Sequence, residues 1–223
     1  MKKSVLAIGA HPDDIEIGCG GTLCLLRDQG YEINHLIITS GEEGSIRLGK
    51  AELGKIRQKE ALKSAEVLGV KKVIFLGIED GFTSFSKESK IQIISNIRKI
   101  RPEIIFTHAK SDHFPDHALV HQLTMSSITA SAGPWYPNAG ISPHQVQKVF
   151  GYEVWSPISN FQIAMNIESF IEQKLEALKQ HVSQTENIDY IEAIKGLAKY
   201  RGVMSMTGTY AEAFEILKMD SLL

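Results

Sequence analysis

Two hydrophobic patterns alternate along the first 130 residues. SVLAIGA, residues 4–10, is a short continuous apolar run of the kind that makes a strand buried on both faces. EINHLIITS (32–40), KVIFLGI (72–78) and EIIFTHA (103–109) repeat it. Between these runs the apolar period lengthens to that of a helix. One helix is predicted over 19–30, opening at Gly20 and Gly21 and closing at Gly30. A second covers 54–68, where Ile56, Ala61, Leu62, Ala65 and Leu68 share a face and Gly69 follows. A third covers 87–100, with Ile91, Ile94, Ile97 and Ile100 inward and Pro102 as its stop; a fourth covers 117–130. GEEGSIRLG (41–49) reads as a polar loop. The β-α-β-α alternation with continuously apolar strands predicts an α/β fold built on a mostly parallel sheet.

Beyond residue 131 the pattern weakens. SAGPWYPNAGISP (131–143) is a loop with three prolines. KVFGYEVWS (148–156) reads as a strand of open pairing, and 168–182 and 188–204 read as helices. This part is taken as a C-terminal elaboration of one domain spanning 1–223.

Composition narrows the function classes. A chain of 223 residues suits one domain, and 43% hydrophobic with 22% charged residues is ordinary for a soluble globular protein. The net charge of -2 gives no basic excess for nucleic acid or an anionic membrane. Cys19 and Cys24, five apart in one predicted helix, do not suggest a disulfide, so a reducing compartment fits. The opening MKKSVLAIGAHPDD has an apolar run too short to span a bilayer and no cleavage pattern. The expectation is a cytoplasmic protein with a small-molecule partner.

The chemistry gathers at two strand ends. HPDDIE, residues 11–16, follows the first strand, and HAKSDHFPDHALVH, residues 108–121, follows the fourth. Ligands of doubly wound sheets bind beyond the carboxyl ends of the strands, where strand order reverses. With order 3-2-1-4 both clusters face one crevice. His11, Asp14 and His117 then form a catalytic zinc set of three protein ligands with one position open. Zinc lowers the pKa of bound water to about 7, and Asp13 beside the ligands is placed to take its proton. Each piece alone has a plainer reading. Asp14 or Glu16 also suits a helix N-terminus, and His117 suits the start of a helix. The joint pattern at adjacent strand ends favours a metal. GCGG lacks the spacing and lysine of a nucleotide-binding loop.

AHPDDIEIGCGGT resembles the signature of the PIG-L/LmbE-like family of zinc-dependent N-acetylglucosaminyl deacetylases. TSGEEGS, RQKEALKSAEVLGV, GIEDG, PDH, KLEALKQHVSQ and GTYAEAF resemble its later segments in order and spacing. The resemblance implies a Rossmann-like fold with helices on both faces, and removal of the acetyl group from an N-acetylglucosamine-containing small molecule or glycoconjugate. It implies Zn2+ on His11, Asp14 and His117, Asp13 as general base, and Arg57 and Asp80 as sugar-binding residues. It allows a homo-oligomer, since the family contains assemblies up to hexamers. One departure stands out. Many members carry a histidine three residues before the second histidine ligand, paired with the aspartate between them. Here Phe114 takes that position, Asp116 remains, and His113 lies one residue earlier. His113 or another histidine substitutes, or protonated Asp13 does both jobs, or hydrolysis is weakened. The last case leads to the alternative reading, a metal-containing sugar-binding or regulatory protein. His121 lies one helical turn beyond His117; His108 is a candidate to orient a ligand, and His181 to pack or line the site. Loops 40–55 and 131–147 are expected to choose the aglycone.

Overall fold

The computed structural model describes residues 3–81, 86–140, 142–186 and 188–220. Ile141, in the proline-rich loop read from the sequence, lies outside them. Among the described residues seven strands form one sheet: β1 (Ser4–Gly9), β2 (Glu32–Thr39), β3 (Lys72–Ile78), β4 (Ile104–His108), β5 (Lys148–Tyr152), β6 (Ile163–Asn166) and β7 (Ala211–Met219). Their order is β3-β2-β1-β4-β5-β7-β6. The pairs from β3 through β5 are parallel, and β7 is antiparallel to both β5 and β6. The expected 3-2-1-4 order is therefore present, and the fifth strand finds its pairing beside β4.

Helices cover both faces. They are α1 (Asp14–Asp28), α2 (Lys50–Leu68), α3 (Lys87–Ile100), α4 (Pro115–Ser131), α5 (Ile171–Lys179), α6 (Val182–Thr185) and α7 (Tyr190–Met204). Val5, Ala7, Ile33, Ile37 and Phe106 meet Ile15, Cys19 and Leu23 of α1 on one face. Leu6, Ile8, Leu36, Ile38 and Ile105 meet Ile93 and Ile97 of α3 and Val120 and Leu123 of α4 on the other. Alternate residues of the same strands thus enter two cores, which is why those strands read as unbroken apolar runs.

Three differences from the sequence reading have local causes. Helix α1 begins at Asp14, not at residue 19. Its glycines do not open it; they let it pack. A Cβ on Gly18 would come within 2.1 Å of the buried Tyr152 ring, and one on Gly21 within 2.9 Å of Ile167. The predicted helix over 168–182 breaks after Lys179 into α5 and α6, which buries His181 between them. Strands β6 and β7 were not expected.

His35 of β2 is buried, and its Nε2 has no hydrogen-bond partner among the described residues. Burial lowers its pKa to about 4. The folded form therefore resists a proton that the unfolded chain accepts below about 6.5. Its contribution is full above that value and lost as pH falls towards 4. Urea denaturation at pH 7 and pH 4.5 should give a His35→Leu variant that loses about 2–3 kcal/mol less stability over that interval than the parent. Equal losses in the two proteins would remove His35 as a source of acid sensitivity.

Candidate active site

Strand order reverses between β1 and β4, and the segments after both strands meet there. His11 leaves β1; Asp112 and Phe114 precede α4, which carries Asp116 and His117 in its first turn. Pro115 opens α4 with a backbone angle suited to a helix start. Asp13 caps α1 with φ of 134°, a conformation that L residues seldom adopt. Arg57 of α2 holds this turn: its guanidinium donates to Pro12 O at 2.9 Å and Gly41 O at 2.9 Å, and lies 3.1 Å from Asp13 Oδ2.

Three donors converge. His11 Nδ1 lies 3.4 Å from Asp14 Oδ2 and 3.3 Å from His117 Nε2, and His117 Nε2 lies 3.3 Å from Asp14 Oδ1. Donors about 2.0–2.1 Å from a tetrahedral zinc stand about 3.3–3.4 Å from one another; the two imidazole nitrogens stand at that spacing, and each has one oxygen of Asp14 at a similar distance. The outer nitrogens are also committed. His117 Nδ1 donates to Asp112 Oδ2 at 2.9 Å. His11 Nε2 meets Asp80 Oδ1 at 3.0 Å and Asp116 Oδ2 at 3.3 Å. A proton on each outer nitrogen turns both inner lone pairs towards Asp14.

Charge explains the pKa shifts. Burial alone would lower the His11 and His117 values, but the carboxylates together outweigh it: Asp14 with Asp116 and Asp80 at His11, and Asp14 with Asp112 at His117. The His11 value is raised well above its ordinary range and that of His117 to about 9. Asp14 is held well below the usual carboxylate range, because His117, His11 and His108 outweigh its burial. The cluster thus attracts positive charge, as protons or as a cation. Asp13 moves the other way: burial raises its pKa, and Arg57 opposes part of the rise.

His108 supports the cluster. Its ring stacks on His117, with centroids 4.1 Å apart at 14°. Its Nε2 accepts from Ala10 N–H at 2.9 Å, and burial lowers its pKa to about 4, which keeps it neutral. His121 turns to the backbone, with Nδ1 2.9 Å from His108 O. His181 is buried 3.7 Å from Glu16 Oε2 and is not among the residues lining the cavity.

A cavity of about 360 Å³ opens over these residues. His11, Asp13, Asp14, Arg57, Asp80 and Asp116, all expected from the sequence, line it. His117 lies beneath, fully buried. His113 does not join them; it is exposed and outside the lining, because its backbone N–H is drawn to Ser156 Oγ at 3.2 Å. Phe114 takes its place in the wall. Sequence reasoning missed Asp112, Trp155, Gln184 and Tyr190. Asp112 stands five residues before His117, a spacing without a signal of its own. Trp155 follows β5, whose carboxyl end lies beside that of β4, so strand order held a clue to its place.

Residues 6–128 match the model of the PIG-L family, described as GlcNAc-PI de-N-acetylase. The diacetylchitobiose deacetylase of Thermococcus kodakarensis is 34% identical over 191 residues, spanning 82% of this chain and 70% of the relative. The 4-oxalmesaconate hydratase of Pseudomonas putida is 26% identical, spanning 92% of this chain and 81% of the relative. The structure of N,N'-diacetylchitobiose deacetylase from Pyrococcus horikoshii superposes with a TM-score of 0.86 at 29% identity, spanning 97% of this chain and 84% of that one.

Proposed function

The chain belongs to the PIG-L family, and from that premise we propose that it is a metal-dependent N-deacetylase acting on an N-acetylglucosamine-containing small molecule or glycoconjugate. The observation that carries this reading is the trio His11, Asp14 and His117 at zinc-like spacing beside a buried aspartate in the cavity wall. These three residues would hold Zn2+, and a bound ion would polarise the amide carbonyl and acidify water.

The chain's own groups do the rest. Asp13, its pKa raised by burial, is a stronger base than a free carboxylate, while Arg57 fixes its Oδ2. It takes a proton from the attacking water and returns it to the leaving nitrogen, giving acetate and an amine. His11 is the one imidazole among the described lining residues, and its Nε2 is held by Asp80 and Asp116. Proton return therefore falls to Asp13, the choice among those open at Phe114 that this geometry favours. Asp116 and Asp80 take a positioning role, because each carboxylate also binds backbone: Gly81 N–H at 3.0 Å and Glu43 N–H at 3.1 Å respectively. Arg57 is equally engaged with protein, so its part in sugar binding is limited to its exposure in the wall.

Hydration of an unsaturated acid, the reaction named for the Pseudomonas relative, is the competing chemistry. Charge argues against it here. Asp13, Asp14, Glu43, Asp80 and Asp116 face the cavity against the guanidinium of Arg57 among the described residues. Even a divalent ion leaves that surface acidic, which disfavours a polyanion and suits a neutral sugar whose product is an ammonium. No helix among the described residues is long and apolar enough to cross a membrane.

The test is acetate and amine release from N-acetylglucosamine and N,N'-diacetylchitobiose, with zinc added and removed, against 4-oxalmesaconate hydration. Release that depends on metal supports the proposal. Sugar binding without release would favour the regulatory alternative. Asp112→Asn, which weakens the partner of His117 Nδ1, should lower metal affinity about 10–100-fold in a competitive chelator titration. Unchanged affinity would deny Asp112 that role.

A further inference from the structure

One wall of the cavity is aromatic. Phe114 begins it, with its ring 5.7 Å from that of His11 and 4.8 Å from that of His117. Trp155 continues outward, 6.3 Å from Phe114 and inclined to it by only 27°. Tyr190 of α7 meets Trp155 edge-on at 5.7 Å and 73°. All three line the cavity, yet Phe114 is 41% and Trp155 52% exposed.

Exposed aromatic surface continuous with a polar cavity marks a ligand groove rather than a piece of core. Ring contacts with both Phe114 and Tyr190 brace Trp155 and set its orientation before any ligand arrives. Bracing reduces the ordering cost of binding. Gln184, a planar amide with two donors and an acceptor, lies in the same lining. A flat apolar face beside polar groups matches a pyranose ring, whose C–H bonds present an apolar face and whose hydroxyls point outward. About 360 Å³ is at the small end for ligand cavities, which leaves little room for a second ring inside it. The ring contacts lead from His11 and His117 through Phe114 to Trp155 and Tyr190, so a group linked to the reacting sugar would lie along them.

We propose that Phe114, Trp155 and Tyr190 form a stacking subsite for a second pyranose ring, making the substrate class a glycoside of at least two sugars. This rests on the deacetylase reading for the inner sugar. In steady-state assays of the metal-loaded enzyme, Trp155→Ala should lower kcat/KM for N,N'-diacetylchitobiose about five- to tenfold, mainly through KM. The same variant should lower kcat/KM for N-acetylglucosamine by a clearly smaller factor than for the disaccharide, and Trp155→Phe should restore most of the loss. An equal effect on both sugars, or none on the disaccharide, would overturn the subsite. Calorimetric titration of both sugars separates this from failure of the deacetylase reading. If the parent turns over neither sugar, that reading fails. The subsite then stands only if the disaccharide binds more tightly than the monosaccharide and the difference vanishes in Trp155→Ala. A p-nitrophenyl glycoside that alone responds to Trp155 would mean an aromatic aglycone, and would also overturn it.

Discussion

Replacing Asp13 with asparagine is expected to lower acetate release about 10²- to 10⁴-fold while metal content stays at the parental level. Asparagine is the informative choice for three reasons. It keeps the volume of the side chain. It tolerates positive φ better than most residues, which matters at 134°. Its carboxamide oxygen can still face Arg57, so the buried guanidinium keeps a polar neighbour while the negative charge and the basicity are lost. An alanine there would confound the result by stranding that charge. The readout is acetate release under saturating sugar, together with bound metal per chain and the melting temperature. A variant with intact metal and a parental rate would exclude Asp13 as the base. Proton return would then also need another group, and none of the described lining imidazoles is free for it, since His11 is bound on both ring nitrogens.

The second large effect is on the ion itself. His117→Ala should reduce metal affinity by well over the roughly 100-fold expected for an outer carboxylate, and activity should fall to background. The physical reason is that His117 is fully buried, with Nε2 facing Asp14 and His11. Its loss leaves two donors where a catalytic site needs three. It also strands Asp112, which stabilises the imidazole from behind, so some loss of thermal stability is expected as well. Asp14→Asn distinguishes these effects, because it weakens the same metal set without opening a cavity. If both variants bound metal as the parent does, in equilibrium dialysis followed by elemental analysis, the trio would not be the metal centre. Chelation of the parent should abolish acetate release, and added zinc should restore it.

Much of this was legible in the chain. The four apolar runs became β1 to β4: β1, β2 and β4 are almost wholly buried, which favours apolar residues at successive positions, while β3 at the edge of the sheet is half-buried. The 87–100 helix coincides with α3, where Ser86 and Ser89 cap the start and Arg101 ends it ahead of Pro102. The C-terminal part was less readable. AEAFEILKM is rich in alanine, glutamate, leucine, lysine and methionine, all good helix formers, yet it is β7. Its strand state comes from pairing on both sides, with β5 and β6, across distances in sequence that local propensity cannot express. Four residues, IAMN, are too few to show a period at all.

By itself the sequence determined the kinds of atoms available: two imidazoles and a run of aspartates, placed just beyond two apolar strands that a 3-2-1-4 order would make neighbours. Tertiary structure decided which atom faces which. It turned His113 outward and Phe114 inward, committed Asp80, Asp112 and Asp116 to the outer nitrogens of His11 and His117, and brought Trp155 and Tyr190 from distant segments to the cavity mouth. The reason is that side-chain direction at a strand end depends on backbone angles and on hydrogen-bond partners far away in the chain, neither of which residue type or spacing encodes.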